Sequence, residues 1–295
     1  MTQTKPTVQH NMLKGYPVIQ IETKDAQATV TLFGGQVISY RPNGQDDLLW
    51  VSDTLKQPPI PIRGGIPVCW PYFSREGQAD NVPFHGVART AYWQMVNQVI
   101  HPNGSVTISL EAPQFEKYAL RLSMELEIGG VLKQRIVTHN TGDTPIPLTQ
   151  ALHSYFKVSN AADISVRGVD GCRFVDKYEG ARAVHQQRGD WTLFDAHNPG
   201  HSDRIYQDVR GNYQIVDEPA KRSIHIQTTG SQSLVIWNPG EMGAANFDDI
   251  GPQWGNFVCV ETVNAGADVI LLAPGATHTL SHTLRVEPLD VAALP

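Results

Sequence analysis

Hydrophobic and polar residues alternate with a period of two along much of this chain. From Leu120 to Ile128 every second residue is apolar and every intervening one is polar, and the stretch from Ser105 to Glu111 repeats the pattern. Such alternation is typical of β-strands with one buried face. Six further stretches are predicted to be strands: Ala28–Phe33, Val131–Asn140, Ile224–Gln227, Leu234–Trp237, Phe257–Thr262 and Thr279–Val286.

Turn-forming segments separate these strands at short, even intervals. Pro102-Asn103-Gly104 and Asn238-Pro239-Gly240 are two examples of this turn chemistry. No long segment shows the 3.6-residue apolar period of an amphipathic helix, and no linker-like segment divides the sequence. We therefore predict one all-β domain over residues 1–295, a large antiparallel β-sandwich with minor helix.

Three segments fall outside this pattern. Residues 1–15 and 288–295 are expected to be chain ends. The stretch from Asp53 to Val82 is rich in proline and glycine and offers only short strands, so we expect a long loop there. Long loops inside compact all-β domains tend to carry function.

Charge and cysteine content narrow the function. The chain has 23 basic and 29 acidic side chains, a formal net charge of −6, which argues against nucleic acid or an anionic membrane as a partner. Cys69, Cys172 and Cys259 are far apart and form no C-x-x-C pair, which favours free thiols in a reducing compartment. With no secretory leader and no 18-residue apolar run, we expect a cytoplasmic protein, and a monomer.

Two arginines lie beside glycines in a way that indicates an anion site. Arg63 is followed by Gly64-Gly65, and Arg89 closes the segment His85-Gly86-Val87-Ala88-Arg89. A glycine backbone can approach a ligand closely, and a guanidinium binds an oxyanion with two parallel hydrogen bonds. The alternative is an ordinary turn with surface arginines paired to nearby carboxylates.

A histidine and a glutamate on apolar strand faces are the candidate acid and base. His153 shares a strand face with Ala151 and Tyr155, and Glu261 shares one with Cys259. A carboxylate on an apolar face is costly unless it is paired or used. Each has a structural alternative: a core histidine bound to a backbone carbonyl, and a strand-end carboxylate in a salt bridge.

Other polar residues are candidates for the wall of a pocket. Asp203 could accept hydrogen bonds from hydroxyl groups or could cap a turn, and Trp237 could face a pocket or end a core strand. His278 and His282 lack a nearby carboxylate at ligand spacing, so we predict no metal site. No nucleotide-binding, zinc-ligand or nucleophile motif is present, and no cofactor is predicted.

Taken in order, six segments of the chain resemble the hexose-6-phosphate mutarotases, also called glucose-6-phosphate 1-epimerases, of the aldose 1-epimerase-like superfamily. The resemblance covers about residues 15–286. Its motifs are Arg63-Gly-Gly-Ile-Pro-Val-Cys-Trp-Pro71, His85-Gly-Val-Ala-Arg89, Leu152-His-Ser-Tyr-Phe156, Asp203-Arg-Ile-Tyr206, Trp237-Asn-Pro-Gly240 and Val258-Cys-Val-Glu-Thr262.

This resemblance implies a galactose mutarotase-like β-supersandwich that interconverts the α and β anomers of a hexose 6-phosphate without cofactor or metal. It implies that His153 is the general acid and Glu261 the general base. It also implies that Arg63, His85, Arg89 and Asp203 bind the substrate. Trp237, the pocket candidate named above, completes the predicted substrate-binding residues.

Departures from the family pattern leave the substrate open. Ser74-Arg75-Glu76 stands where a Gly-Pro-like loop is more usual, Phe84 precedes His85, and Met242–Trp254 is a divergent loop. An aldose 1-epimerase acting on unphosphorylated sugars and a non-catalytic sugar-binding protein are the alternatives, since one fold can host several functions.

Overall fold

The computed structural model describes residues 5–179, 183–197 and 199–289. Nearly all regular structure in these residues is β-strand, joined by short turns. The only helical segments described are α1 (Gly240–Ala244) and the 3₁₀ turns Ala88–Thr90 and Gly251–Asn256. The strands are β1 (Thr7–Leu13), β2 (Tyr16–Glu22), β3 (Ala26–Thr31), β4 (Gln36–Pro42), β5 (Val68–Cys69), β6 (Gln94–Ile100), β7 (Val106–Glu111), β8 (Leu120–Ile128), β9 (Leu132–Asn140), β10 (Ile146–Leu148), β11 (Gln150–Leu152), β12 (Tyr155–Lys157), β13 (Ile164–Arg167), β14 (Arg173–Asp176), β15 (Val184–Gln186), β16 (Ser202–Gln207), β17 (Asn212–Asp217), β18 (Arg222–Thr229), β19 (Ser233–Asn238), β20 (Phe257–Asn264), β21 (Ile270–Leu272) and β22 (Thr277–Pro288).

Two eight-stranded antiparallel sheets form the body of the fold. One has the order β15-β14-β16-β19-β20-β11-β5, with β12 also paired to β20, and the other has the order β13-β17-β18-β22-β9-β8-β7-β6. Their facing apolar side chains, among them Ile236, Val260, Ile224 and Leu284, belong to one buried cluster. The predicted all-β sandwich with minor helix is confirmed, and each predicted strand is present within about two residues of its expected ends.

The sheet that runs from β15 to β5 carries the candidate residues on its face turned away from this core. Strand parity sends Val260 toward the other sheet and Glu261 to the opposite face, because successive side chains of a strand alternate. Register then places Val235 beside Glu261 and Trp237 beside Cys259. This second face is covered by the loops that follow β5 and β19, not by a further sheet.

The expectation that residues 1–15 are only a chain end was wrong. Thr7–Leu13 forms β1 and pairs along its length with β2 in a four-stranded sheet. Six of its seven residues are exposed, so the strand has no buried face and no alternation to reveal it. The predicted loop between Asp53 and Val82 is confirmed, with β5 its only named strand among the residues described.

Glycine is required where the two arginine segments touch neighbouring backbone segments. Gly64 has φ +107°, and a Cβ there would collide with the backbone of Trp50 and Val51; Gly86 has φ +74°, and a Cβ there would collide with the Trp70 carbonyl. These residues therefore fix the segments that carry Arg63 and Arg89.

No helix in the described residues is long and apolar enough to cross a membrane.

The buried intersheet core predicts a strong contrast between two leucines. Leu284 is 0% exposed in that core, whereas Leu271 is 69% exposed on β21. We expect Leu284→Ala to lower the free energy of unfolding by about 2–5 kcal/mol, because it leaves a cavity between the sheets. The matched Leu271→Ala control should change it by no more than about 0.5 kcal/mol. Urea denaturation of both variants measures this, and equal effects would contradict the proposed core.

Candidate active site

His153 lies in the short gap between β11 and β12, on the loop-covered face. Its backbone N–H donates to the Pro67 carbonyl over 3.0 Å, which holds the segment against the Arg63 loop. Its ring stacks on Tyr155, with centroids 4.8 Å apart and planes within 6°. Its Nε2 atom is 3.5 Å from Oε1 of Glu261. The ring is therefore held rigidly with one nitrogen toward the carboxyl group.

Glu261 is a buried carboxyl group that is incompletely paired. It is 1% exposed, on a strand buried at every position. Its Oε2 atom is buried and has no hydrogen-bond partner among the described residues. Burial raises the pKa of this carboxyl well above its ordinary value, Lys177 lowers it and Asp203 raises it further. Removing a carboxylate from water without full compensation costs several kcal/mol, so this position is not explained by stability.

Burial acts on His153 in the opposite sense. It lowers the pKa of the imidazole well below its ordinary value, and the positive charges of Arg89 and Arg63 lower it further. The charged forms of His153 and Glu261 are thus both disfavoured. Two titratable groups shifted in opposite directions and 3.5 Å apart are the arrangement expected of a proton-transfer pair.

His85 is positioned by an unusual backbone conformation. Its φ of +62° is uncommon for a residue with a side chain, and its ring contacts that of His153 at 5.4 Å. The Ser74 backbone N–H donates to His85 Nδ1 over 3.0 Å. Burial lowers the pKa of His85, and Arg89 lowers it further. The ring is therefore neutral at ordinary pH, with its proton on Nε2.

The two arginines differ in how far they are already engaged. Arg63 donates through Nε to both carboxylate oxygens of Asp249 at 3.2 Å and through NH1 to the Tyr155 hydroxyl, also at 3.2 Å. Arg89 donates one bond, from NH2 to the Phe84 carbonyl at 2.8 Å, and its buried Nε has no hydrogen-bond partner in the part of the chain described. Arg89 therefore has more unused donor capacity.

A cavity of about 260 Å³ brings four of the predicted residues together. Arg63, His85, Arg89 and His153 line it, together with Asp249 and Phe247, which both contact Arg63. Glu261 does not line this cavity, but it is adjacent through His153. The guanidinium groups of Arg63 and Arg89 thus line the cavity, whereas the Glu261 carboxyl group lies next to it on the sheet.

Asp203 and Trp237 extend the site along the sheet. They are directly opposite each other on β16 and β19. Trp237 contacts the His153 ring edge-on at 6.2 Å. Burial raises the pKa of the Asp203 carboxyl, Lys177 opposes this rise and Asp176 adds to it. Neither residue lines the 260 Å³ cavity, so the structure groups them with Glu261 rather than with the arginines.

Three neighbours of the site were not among the predicted residues. Tyr155 joins His153 to Arg63, Asp249 binds Arg63 from the divergent loop, and Lys177 places its ammonium 4.6 Å from the Phe73 ring centroid. Tyr155 could have been found, because it shares the face of His153 two residues along the strand. Asp249 is in a loop and Lys177 follows the end of a strand, and no sequence pattern marks either as a site residue.

The candidate site is distinct from the residues that could hold a metal. His282 is buried, 3.3 Å from the Thr262 hydroxyl, and His278 is 3.2 Å from the Asn264 side-chain oxygen, so both have structural partners. Among residues 5–179, 183–197 and 199–289, one set of three metal-ligating side chains is close enough to share an ion, and it is elsewhere: Glu179, His185 and His197.

Comparison with known proteins agrees with the sequence resemblance. The family model for aldose 1-epimerase matches residues 17–285. A protein named as a glucose-6-phosphate 1-epimerase from Escherichia coli (strain K12) is 29% identical over 96% of this chain and 95% of its own length. A similarly named protein from Cenchrus ciliaris is 30% identical over 84% of this chain and 78% of its own length.

A solved structure supports the same assignment. A protein described as a mutarotase from Salmonella typhimurium has a TM-score of 0.85 and 26% identity, covering 95% of this chain and 94% of that one. The family model covers nearly the whole of the two-sheet body and all six sequence motifs. This chain belongs to the aldose 1-epimerase family.

Proposed function

We propose that this enzyme interconverts the α and β anomers of a hexose 6-phosphate, most simply glucose 6-phosphate, with His153 and Glu261 as the proton-transfer pair. The observation that carries this proposal is the buried, incompletely paired Glu261 carboxyl 3.5 Å from a buried imidazole, beside a cavity with two arginines. The names of the E. coli and Cenchrus ciliaris relatives support the same substrate.

The reaction needs one proton donor and one proton acceptor on the same sugar. In the opening step His153 gives a proton to the ring oxygen while Glu261 removes the proton of the C1 hydroxyl; the bond from C1 to the ring oxygen breaks and a C1 carbonyl forms. Rotation about the C1–C2 bond exposes the other aldehyde face. His153 then takes back the proton as the ring oxygen attacks C1, and Glu261 returns its proton to the carbonyl oxygen.

The opposite pKa shifts suit this exchange. A pair that holds one proton always contains one donor and one acceptor, whichever residue carries the proton. Because burial disfavours both imidazolium and carboxylate, it favours the form with the proton on Glu261, in which both groups are neutral and which is the form reached when the ring has opened. The same pair therefore serves opening and closure.

The phosphate would bind at the arginine end of the cavity. Arg89 offers unused donors, and Arg63 would have to share its guanidinium between Asp249 and the ligand. Hydrogen bonds from a guanidinium to a charged group are the strong class, at about 1.5–3 kcal/mol each. His85 would donate its Nε2 proton to a sugar oxygen, while Asp203 and Trp237 would contact the sugar from the sheet.

One observation favours a second candidate, an epimerase of unphosphorylated hexoses. The Asp249 carboxylate already occupies the Nε side of Arg63 and adds negative charge to the cavity wall. A neutral sugar would not meet repulsion there, whereas a phosphate would. The balance between Arg89 and Asp249 therefore decides the substrate.

The state of the cysteines bears on where in the cell the enzyme works. The free thiols of Cys69, Cys172 and Cys259 form no disulfide, and Cys69 and Cys259 are buried. This pattern supports our proposal that the enzyme works in the cytoplasm.

Replacing either member of the pair should abolish most of the catalysis. We expect Glu261→Gln and His153→Asn each to lower kcat by at least about 100-fold, since a positioned acid or base supplies about 10²- to 10⁴-fold. Anomer exchange is measured by polarimetry or NMR. His225→Gln, on the other sheet, is the control and should retain its rate. Near-normal turnover of either pair variant in correctly folded protein would refute the assignment.

The opposite pKa shifts predict a plateau of activity between the lowered pKa of His153 and the raised pKa of Glu261. The pair gains a second, inhibitory proton only below the lowered pKa of His153, so the acid limb of kcat/KM should have its midpoint below the ordinary histidine value of 6.5. It loses its last proton only above the raised pKa of Glu261, so the alkaline limb should lie well above 4.5. A pH–rate profile checks both limbs, and an acid midpoint at or above the ordinary histidine pKa would contradict the proposal.

The arginine end of the cavity predicts selective loss of phosphorylated substrate. We expect Arg89→Ala to raise KM for glucose 6-phosphate by about 10- to 100-fold, because one or two charge-assisted hydrogen bonds are lost, with much less effect on glucose. Arg135→Ala, a surface arginine paired with Glu125, is the matched control. In the same assay Asp249→Asn should lower KM for the phosphate ester. Equal effects of Arg89→Ala on both sugars would favour the second candidate.

A further inference from the structure

Three potential metal ligands meet at the outer edge of the sheet that carries the candidate active site. Glu179 follows β14, His185 is on β15, and His197 belongs to the segment that leads into β16. They lie within one short stretch of the chain, residues 179–197, but their spacing is not that of a common zinc motif. One donor atom from each is within 4.8 Å of the others. They are distinct from His153, which lies between β11 and β12, and from Glu261, which is on β20.

The donor atoms have distances compatible with a common ion. His185 Nε2 is 2.8 Å from Glu179 Oε2, and His197 Nε2 is 3.4 Å from Glu179 Oε1. In a tetrahedral zinc site with bonds of about 2.0–2.1 Å, neighbouring ligand atoms are about 3.3–3.4 Å apart. Small side-chain adjustments would therefore bring all three to ligand positions.

The cluster is incomplete as a hydrogen-bond network. His185 Nε2 and the Glu179 carboxylate satisfy each other. His197 Nε2 is buried and has no hydrogen-bond partner within the described ranges, although it points toward the same carboxylate. A buried, unsatisfied nitrogen is costly, and a cation between the three groups would satisfy it.

The surroundings support both the position and the charge of such an ion. The ring of Phe174, itself buried, contacts the His185 ring at 5.4 Å and the His197 ring at 5.1 Å, which restrains both imidazoles. The nearby buried Asp176 adds negative charge 3.9 Å from His197 Nε2. Arg204, whose guanidinium lies over the Phe174 ring, pairs with both Asp195 and Asp176, which offsets its positive charge.

We propose that Glu179, His185 and His197 form a binding site for a divalent transition-metal ion of the zinc type. Two imidazoles and a carboxylate are a borderline donor set that suits zinc better than calcium or magnesium. Glu179 and His185 are about one-third exposed, at 39% and 32% of their side chains, which leaves an open position for water. Binding would join the edge hairpin β14–β15 to the strand segment before β16.

The test is metal titration of the untagged, full-length protein after treatment with EDTA. Isothermal titration with ZnCl₂ should give one ion per chain with a Kd of about 10 µM or tighter. Glu179→Gln, His185→Gln and His197→Gln should each weaken binding by at least about 10-fold. His225→Gln is the matched control, because His225 is paired with a single carboxylate, Glu287, at 3.0 Å.

A second measurement needs no variant. Co²⁺ added to the wild-type protein should give the strong visible absorption of a four- or five-coordinate site, and one equivalent of Zn²⁺ should remove it. Circular dichroism in EDTA establishes that each variant is folded. The proposal is overturned if the wild type binds neither ion, or if His225→Gln weakens binding as much as the three ligand variants do; the cluster is then a hydrogen-bonded one only.

Discussion

The proposed chemistry depends on the cost of burying Glu261. The carboxyl group is on a strand buried at every position, with one oxygen lacking a hydrogen-bond partner among the described residues and the other facing the His153 imidazole. A hydrophobic residue would pack there at lower cost. The same desolvation that penalises the carboxylate raises its pKa, and it lowers that of His153, so one physical effect prepares both halves of a proton exchange.

The fold could be predicted where burial leaves a periodic trace. β8 matches its predicted range because its alternate residues are buried. β20 begins at the predicted Phe257, because its first four residues are apolar, and ends two residues beyond the predicted Thr262. β1 and β6 could not be predicted, since both are exposed along nearly their whole length and pair through backbone hydrogen bonds that any residue can make. The order of the strands within each sheet could not be predicted from the sequence, because it depends on contacts between strands that are distant along the chain.

The candidate site likewise contains residues that could be predicted from the sequence and residues that could not. The alternation of side chains along a strand was enough to place His153 and Tyr155 on one face of their segment. It also placed Glu261 on the same face of its strand as Cys259. It could not indicate that Asp249 would bind Arg63, because that contact joins the divergent loop after β19 to the loop before β5. The carboxylate alternative considered for the arginines thus holds for Arg63 and its partner, while Arg89 retains unused donors.

The hydrogen bond from the Ser74 backbone to His85 sets the polarity of one wall of the cavity. A backbone N–H cannot be reversed by a proton shift, so the imidazole opposite it can offer only a donor to the ligand. An oxygen with a free lone pair fits that position, but an ammonium group does not. A charged nitrogen placed beside this ring in the proposed site would meet a donor and not an acceptor, by geometry fixed before any ligand arrives.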